Sequence, residues 1–300
     1  MIHGTHNADP DSRNEDVLVS INGELFSRNE AKISVFDSGY LVGDGVWEAM
    51  RLYNGKLAFL ELHLDRLWAG AATIHLSLPF SREELVASIR KTLDANKMLT
   101  DVHVRVMVTR GIKKTPSQDP RLTISGPNVV IIAEHKKASA DSASNGITLF
   151  TSTVRRGSPD YLDPRLNCHS KLHEVQALTQ ALEAGADEAL MLDVRGFVST
   201  CNSTNFFVVR GGEVWTSTGV YCMNGITRHN VIRVCEENDI VCRQKDFSLF
   251  EVYSADEAFV TGSFAGLMPV TKIDGRKIGS VDRPVISRLQ KLYQELIAND

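Results

Sequence analysis

Three hundred residues, 43% of them hydrophobic, are enough to bury the cores of one large or two medium domains. A net charge of −4 gives no electrostatic case for a nucleic-acid partner, and no apolar run approaches the length of a membrane span. The five cysteines are irregularly spaced and the N-terminus has no apolar signal core, which suits free thiols in a reducing cytoplasm rather than a disulfide framework.

In chain order, residues 1–16 read as a flexible polar arm. Asn22-Gly23 and Asn54-Gly55 are hairpin turns, joining strands at 17–21 and 24–26 and at 46–53 and 56–59. Residues 32–36 read as another strand. Leu64, Leu67, Ala71 and Ile74 recur at helical spacing within 62–76. Ser81 with Glu84 is a capping box opening a helix that runs to about Asn96. Strands follow at 102–109 and 129–134, and the charged, small-residue stretch 136–146 reads as a linker. Beyond it come a strand at 147–154 and a helix from about Ser170 to Glu183, stopped by Gly185. Strands at 188–193, 197–199, 205–209 and 213–216 precede helices at 227–238 and 248–253. A strand at 258–262 and a closing helix at 281–298 complete the chain. The reading is α+β: a small N-terminal domain over 17–135, a linker, and a large C-terminal domain over 147–300.

Five blocks in this order resemble the class IV, or fold-type IV, pyridoxal-phosphate (PLP) aminotransferases, which include branched-chain and D-amino-acid aminotransferases. They are Gly39-Tyr40-Leu41-Val42-Gly43-Asp44-Gly45-Val46-Trp47-Glu48, His63-Leu64-Asp65-Arg66-Leu67, Gly185-Ala186-Asp187-Glu188-Ala189, Asn224-Gly225-Ile226-Thr227-Arg228 and Thr261-Gly262-Ser263. The resemblance covers nearly the whole chain. It implies a two-domain homodimer with PLP in the cleft between domains, acting on small amino and 2-oxo acids.

It further implies that Arg66, Gly225, Ile226, Thr227 and Ser263 hold the PLP phosphate. Chemistry supports that pocket independently, because a helix opening at 225–227 offers unpaired N–H groups and a favourable dipole to an anion. Thr227 is a good N-cap residue, and Arg66 has the fork to bind phosphate bidentately.

Two positions depart from the family pattern. Counting back from Gly185 without gaps places Asn167 where relatives carry the cofactor lysine. Lys171 lies four residues on, and on a helix it shares a face with Asn167. Lys171 is therefore the expected Schiff-base lysine and proton shuttle, with Asn167 beside the cofactor. Its alternative role is an ordinary lysine on a first helical turn. Thr200 stands where relatives place the glutamate that faces the pyridine nitrogen. A neutral hydroxyl there donates to an unprotonated nitrogen and weakens the ring as an electron sink.

On the substrate side, Arg105 matches a strand arginine of branched-chain enzymes. Tyr40, Trp47 and Tyr161 are candidate pocket walls, and His169 a candidate helper in proton transfer. Lys113 and Lys114 replace the carboxylate trap of the D-amino-acid enzymes, and adjacent loop lysines are usually solvated. Cys168, His169, Cys201 and Cys222 match no zinc spacing, so no metal is expected. The leading reading is an aminotransferase. A lyase or racemase of the same fold, or a repurposed protein that binds PLP or another phosphorylated ligand without catalysis, are the alternatives.

Overall fold

The computed structural model describes residues 4–5, 8–137, 145–279 and 282–300. Most of the expected 136–146 linker, and residue 281, lie outside the described residues. The chain divides into two compact units. One comprises Asp9–Lys137 with Leu166–Lys171, and the other Met1–Ala8, Ala138–Arg165 and Leu172–Asp300. This differs from the linear division in two places. The start of the chain groups with the C-terminal part, and a hexapeptide from the C-terminal half groups with the N-terminal part.

The smaller unit is built on an antiparallel six-stranded sheet. Its strands are β1 (Leu18–Ile21), β2 (Glu24–Ser27), β3 (Gly45–Tyr53), β4 (Lys56–Leu57), β5 (Val102–Thr109) and β6 (Asn128–His135), in the order β2-β1-β6-β5-β3-β4. Both asparagine–glycine pairs take positive φ at both positions, 53° and 84° at Asn22 and Gly23, and 48° and 80° at Asn54 and Gly55. That is the conformation whose twist matches a two-residue hairpin. Helices α2 (Leu60–Thr73) and α3 (Arg82–Ala95) cover one face. Ser81 and Glu84 form the expected reciprocal cap of α3. The period of two sorts β5 cleanly. Val102, Val104, Val106 and Val108 enter the core with Leu64, Leu67, Leu85 and Ile89, while His103, Arg105, Met107 and Thr109 line the opposite face.

Two expectations fail in this unit. Residues 32–36 form no strand; Ile33, Val35 and Phe36 are exposed. The segment instead delivers Asp37, 1% exposed, which caps the short helix α1 (Ser38–Val42) and accepts hydrogen bonds from Thr109 Oγ1 and Asn128 Nδ2. Nor are residues 12–16 loose: Ser12–Asp16 make a 3₁₀ turn capped by Asp11.

The larger unit carries a nine-stranded sheet: β7 (Ile147–Thr151), β8 (Glu188–Leu192), β9 (Val198–Cys201), β10 (Asn205–Arg210), β11 (Glu213–Thr216), β12 (Cys242–Gln244), β13 (Glu257–Gly262), β14 (Gly266–Ile273) and β15 (Arg276–Lys277). Its order is β12-β11-β10-β13-β14-β7-β8-β9, with β15 on β14. The β7 strand runs parallel to both β14 and β8. One face packs Phe206, Val208, Val260, Met268, Leu149 and Leu190 into a common core. Helix α4 (Leu172–Glu183) lies on β7 and β8 through Ala177 and Ala181, and α5 (Ile226–Glu237) and α7 (Pro284–Asn299) pack over β13. The short α6 (Leu249–Tyr253) opens on a Ser248–Glu251 capping box. Sequence pattern misses β14 because Pro269 sits inside it, and proline argues against a central strand. The sheet accommodates it with a register shift between Val270 and Lys272 against β7.

The hexapeptide Leu166–Lys171 is extended, not helical. Cys168 bridges Val46, Trp47 N–H donates to Asn167 O at 3.0 Å, and His169 N–H donates to Gly45 O at 3.0 Å. Backbone groups paired to a strand are not free to build a helical turn. Helix α4 therefore starts at Leu172, and Lys171 does not stand one helical turn above Asn167.

Candidate active site

The larger unit contains a backbone cup suited to an anion. Helix α5 opens on Gly225, whose position as N-cap leaves the first turn without a side-chain cap. The N–H groups of Ile226 and Thr227 thus lie at an uncapped helix start, where the dipole favours negative charge. Thr227 sits inside the helix rather than capping it, and its Oγ1 accepts from Tyr293 Oη at 3.4 Å. The second wall is the β13–β14 turn bearing Gly262 and half-buried Ser263. Asn205 joins the two: it pairs with Thr261 across β10 and β13, its Nδ2 donates to Met223 O at 2.9 Å, and a Cβ on Gly225 would collide with its Oδ1. Thr261 Oγ1 is buried without a hydrogen-bond partner among the described residues.

Thr200 lies nearby on β9, 5% exposed. Its hydroxyl donates to Thr204 O at 2.7 Å. With its proton given to that carbonyl the oxygen is left to accept, where the sequence reading has it donate, and Asn205 Nδ2 lies 3.5 Å from it. Sequence reasoning also missed Glu188, whose carboxyl accepts from Thr204 Oγ1 at 2.9 Å and Ser203 Oγ at 3.3 Å beside the same turn. Burial pushes its pKa up to about 7, against the opposing hydroxyl bonds. It stands in the Gly185–Ala189 block, which marks a strand entry and assigns the carboxylate no role. Tyr161 is 89% exposed on the loop before Arg165 and packs over Gly157.

In the smaller unit, the extended hexapeptide places its side chains against the start of β3. Asn167 Nδ2 donates to Trp47 O at 2.6 Å, and Trp47 Nε1 donates to Cys168 O at 3.0 Å. Asn167 Oδ1 is buried with no partner among the described residues. Lys171 Nζ stands 5.9 Å from the Trp47 ring centroid, and the Arg105 guanidinium stands 4.3 Å from the same ring. Two cations on one indole form a local field that favours an anionic ligand. His169 Nε2 lies 3.3 Å from Val46 O, and the ring is walled by Gly39 and Gly45. Burial lowers its pKa, so it is mostly neutral at neutral pH.

Arg66 is less available than its motif suggests. Its Nε and Nη2 donate to Glu48 at 2.6 and 2.8 Å, while His63 Nδ1 lies 2.6 Å from the same carboxylate. Burial alone would raise the Glu48 pKa. The Arg66 charge and the bonds from His63 and Arg66 override it and hold the carboxyl at about 2. Part of the guanidinium fork is therefore committed to a carboxylate.

The open sheet face holds a cavity of 680 Å³, with Val19, Ile21, Met107, Val130, Arg105 and His169 among its walls. Tyr40 lines its rim and is 75% exposed. Lys113 is not a solvated loop lysine; it is 1% exposed and donates to Asp119 O at 3.1 Å within its own loop. The structure thus gathers Trp47, Arg105, Asn167, His169 and Lys171 in one unit, and Thr200, Gly225, Ile226, Thr227 and Ser263 in the other.

The family profile of amino-transferase class IV matches residues 45–273. A branched-chain-amino-acid aminotransferase-like protein 2 of Arabidopsis thaliana is 39% identical over 288 residues, 96% of this chain but 51% of that protein. The chain thus spans about half the length of that relative. A putative branched-chain-amino-acid aminotransferase of Methanocaldococcus jannaschii is 37% identical over 264 residues, covering 87% of this chain and 90% of the relative. Among solved structures, a T.th. branched-chain amino acid aminotransferase with pyridoxamine 5′-phosphate superposes with a TM-score of 0.88 at 28% identity over 95% of each chain. No helix among the described residues is long and apolar enough to cross a membrane. The chain belongs to the class IV aminotransferase family and has its α+β fold.

Proposed function

We propose that this chain is a PLP-dependent aminotransferase that moves an amino group from an amino acid or amine to a 2-oxo acid. The observation that carries the reading is the uncapped α5 helix start joined by Asn205 to the Gly262-Ser263 turn, with the orphaned Thr261 hydroxyl two residues before Ser263. These groups fit a phosphate monoester. PLP, when bound, supplies an aldehyde and an electron-withdrawing ring. In this reading Ile226 and Thr227 N–H groups and the Ser263 hydroxyl hold the phosphate, with Arg66 as their cationic partner. Lys171 carries the cofactor covalently and moves the proton at the substrate α-carbon. Thr200 Oγ1 faces the pyridine nitrogen as a neutral acceptor, which holds a proton there less firmly than a carboxylate does. Arg105, beside the Trp47 ring, supplies positive charge for a substrate carboxylate.

The reading extends to a cytoplasmic homodimer using small amino and 2-oxo acids. Exposed Ile33, Val35, Phe36 and Tyr40 support a covered face in the assembly; sedimentation giving only monomer at micromolar concentration contradicts the dimer. A second reading, non-covalent PLP binding without turnover, draws on one observation: Asn167 occupies the family's lysine position and is fixed to Trp47 O. Borohydride reduction of the PLP-loaded protein, followed by peptide mapping, separates the two. A pyridoxyl group on Lys171 supports the enzyme reading. PLP retained with no adduct removes it.

A further inference from the structure

Arg156 is a buried cation that the proposed chemistry does not use. Its backbone is held at the edge of β8, with Arg156 N–H donating to Leu192 O at 2.9 Å and the residue bridging Asp193. Its guanidinium gathers four acceptors from three stretches of chain. Nη1 donates to Glu174 Oε1 at 2.7 Å and lies 2.9 Å from His173 Nε2. Nη2 donates to Pro164 O and Nε to Tyr221 O, each at 3.4 Å. Pro164 is the last residue but one before the chain leaves the larger unit, and His173 and Glu174 follow directly on its return at Leu172. One side chain therefore ties both ends of the excursion that carries Asn167, His169 and Lys171. Glu174 also lies in the first turn of α4, where a carboxylate is favoured by the helix dipole.

We propose that Arg156 is the positioning residue for Lys171: by clasping Pro164 O to Glu174 it holds together the two chain ends that flank 166–171, and so limits where the Lys171 amine can stand. The proposal rests on the reading of Lys171 given above. Arginine is required because a planar fork reaches a carbonyl, an imidazole and a carboxylate at once. Lysine is a point charge that keeps only the attraction to Glu174. Fixing the ends of a short segment pre-organises a reacting group, and small misplacement is costly in rate.

The test compares wild type with Arg156→Lys in three readouts: PLP affinity by absorbance titration, the rate of borohydride-trapped pyridoxyl labelling at Lys171, and steady-state kinetics. The clasp predicts PLP affinity and donor KM within about threefold of wild type, with labelling rate and kcat reduced roughly tenfold or more. A merely structural arginine lowers PLP binding and labelling in parallel, and that result overturns the proposal. Labelling and kcat within about twofold of wild type overturn it too. Should Arg156→Lys not fold, Glu174→Gln keeps the volume, removes the charge and predicts the same split. A wild-type protein that binds PLP but never labels Lys171 overturns the underlying reading itself, a result distinct from a failed split.

Discussion

The phosphate cup and the lysine segment are assembled by opposite means. The cup is made of backbone: an uncapped helix start, a β-turn, and one asparagine that locks them together. Its side chains are few, and its geometry follows from the fold. The lysine segment is made of side chains presented from an extended hexapeptide, and a one-residue change in where α4 begins alters what those side chains reach. A site built from backbone tolerates sequence drift, whereas one built from side chains can relocate its chemistry by four residues. On the proposed reading, the placing of Asn167 and Lys171 is such a relocation.

The largest expected effect lies on the side-chain half. Lys171→Ala should lower transamination by roughly a thousandfold or more while PLP is still retained by the cup. Activity equal to wild type would break the comparison at its centre. The backbone half is probed by Gly225→Ala. The backbone conformation tolerates alanine at φ −61°, but the added Cβ meets Asn205 Oδ1 and displaces the tie to Met223. PLP affinity should fall by roughly tenfold, with the rate at saturating PLP little changed; unchanged affinity in an absorbance titration would dissociate Asn205 from the cup.

A smaller effect concerns stability around Arg66. The Glu48 carboxyl is held at about 2, below its ordinary value of 4.5. Its contribution is therefore present above pH 4.5 and is lost as pH falls toward 2. Glu48→Gln should cost about 3 kcal/mol near neutral pH, with the gap to wild type closing across that acid window in urea titrations. A pH-independent gap would point to packing rather than charge. The smallest effect is Asn167→Ala, which removes one hydrogen bond to Trp47 O and leaves the lysine in place. It should cost about 1 kcal/mol of stability and a few-fold in kcat; a loss as large as that of Lys171→Ala would return the central role to position 167.

Much of the frame is legible in the sequence because it rests on local signals. Both asparagine–glycine hairpins and the Ser81 cap require only neighbours in sequence. The turns at 225–227 and 261–263 are legible through the family resemblance of their blocks. What escapes depends on distant partners. The sequence places a helix start at about Ser170, yet Cys168 and His169 pair with Val46 and Gly45 and the helix begins at Leu172. Residues 32–36 alternate like a strand but join no sheet edge, and Pro269 hides a strand that a register shift accommodates. Thr200 is visible by motif, but the direction of its hydroxyl bond follows from the Thr204 carbonyl. Arg156 and Glu174 are too far apart in sequence for any helical or hairpin spacing to pair them.

The central claim is that Lys171 has taken over the covalent role of the family lysine. Borohydride reduction of the PLP-loaded wild-type protein, with peptide mapping of the pyridoxyl group, tests it most directly. The account predicts a single adduct, on Lys171, absent from Lys171→Ala. Cofactor released as its reduced alcohol with no peptide adduct, or an adduct on a different lysine, would contradict it.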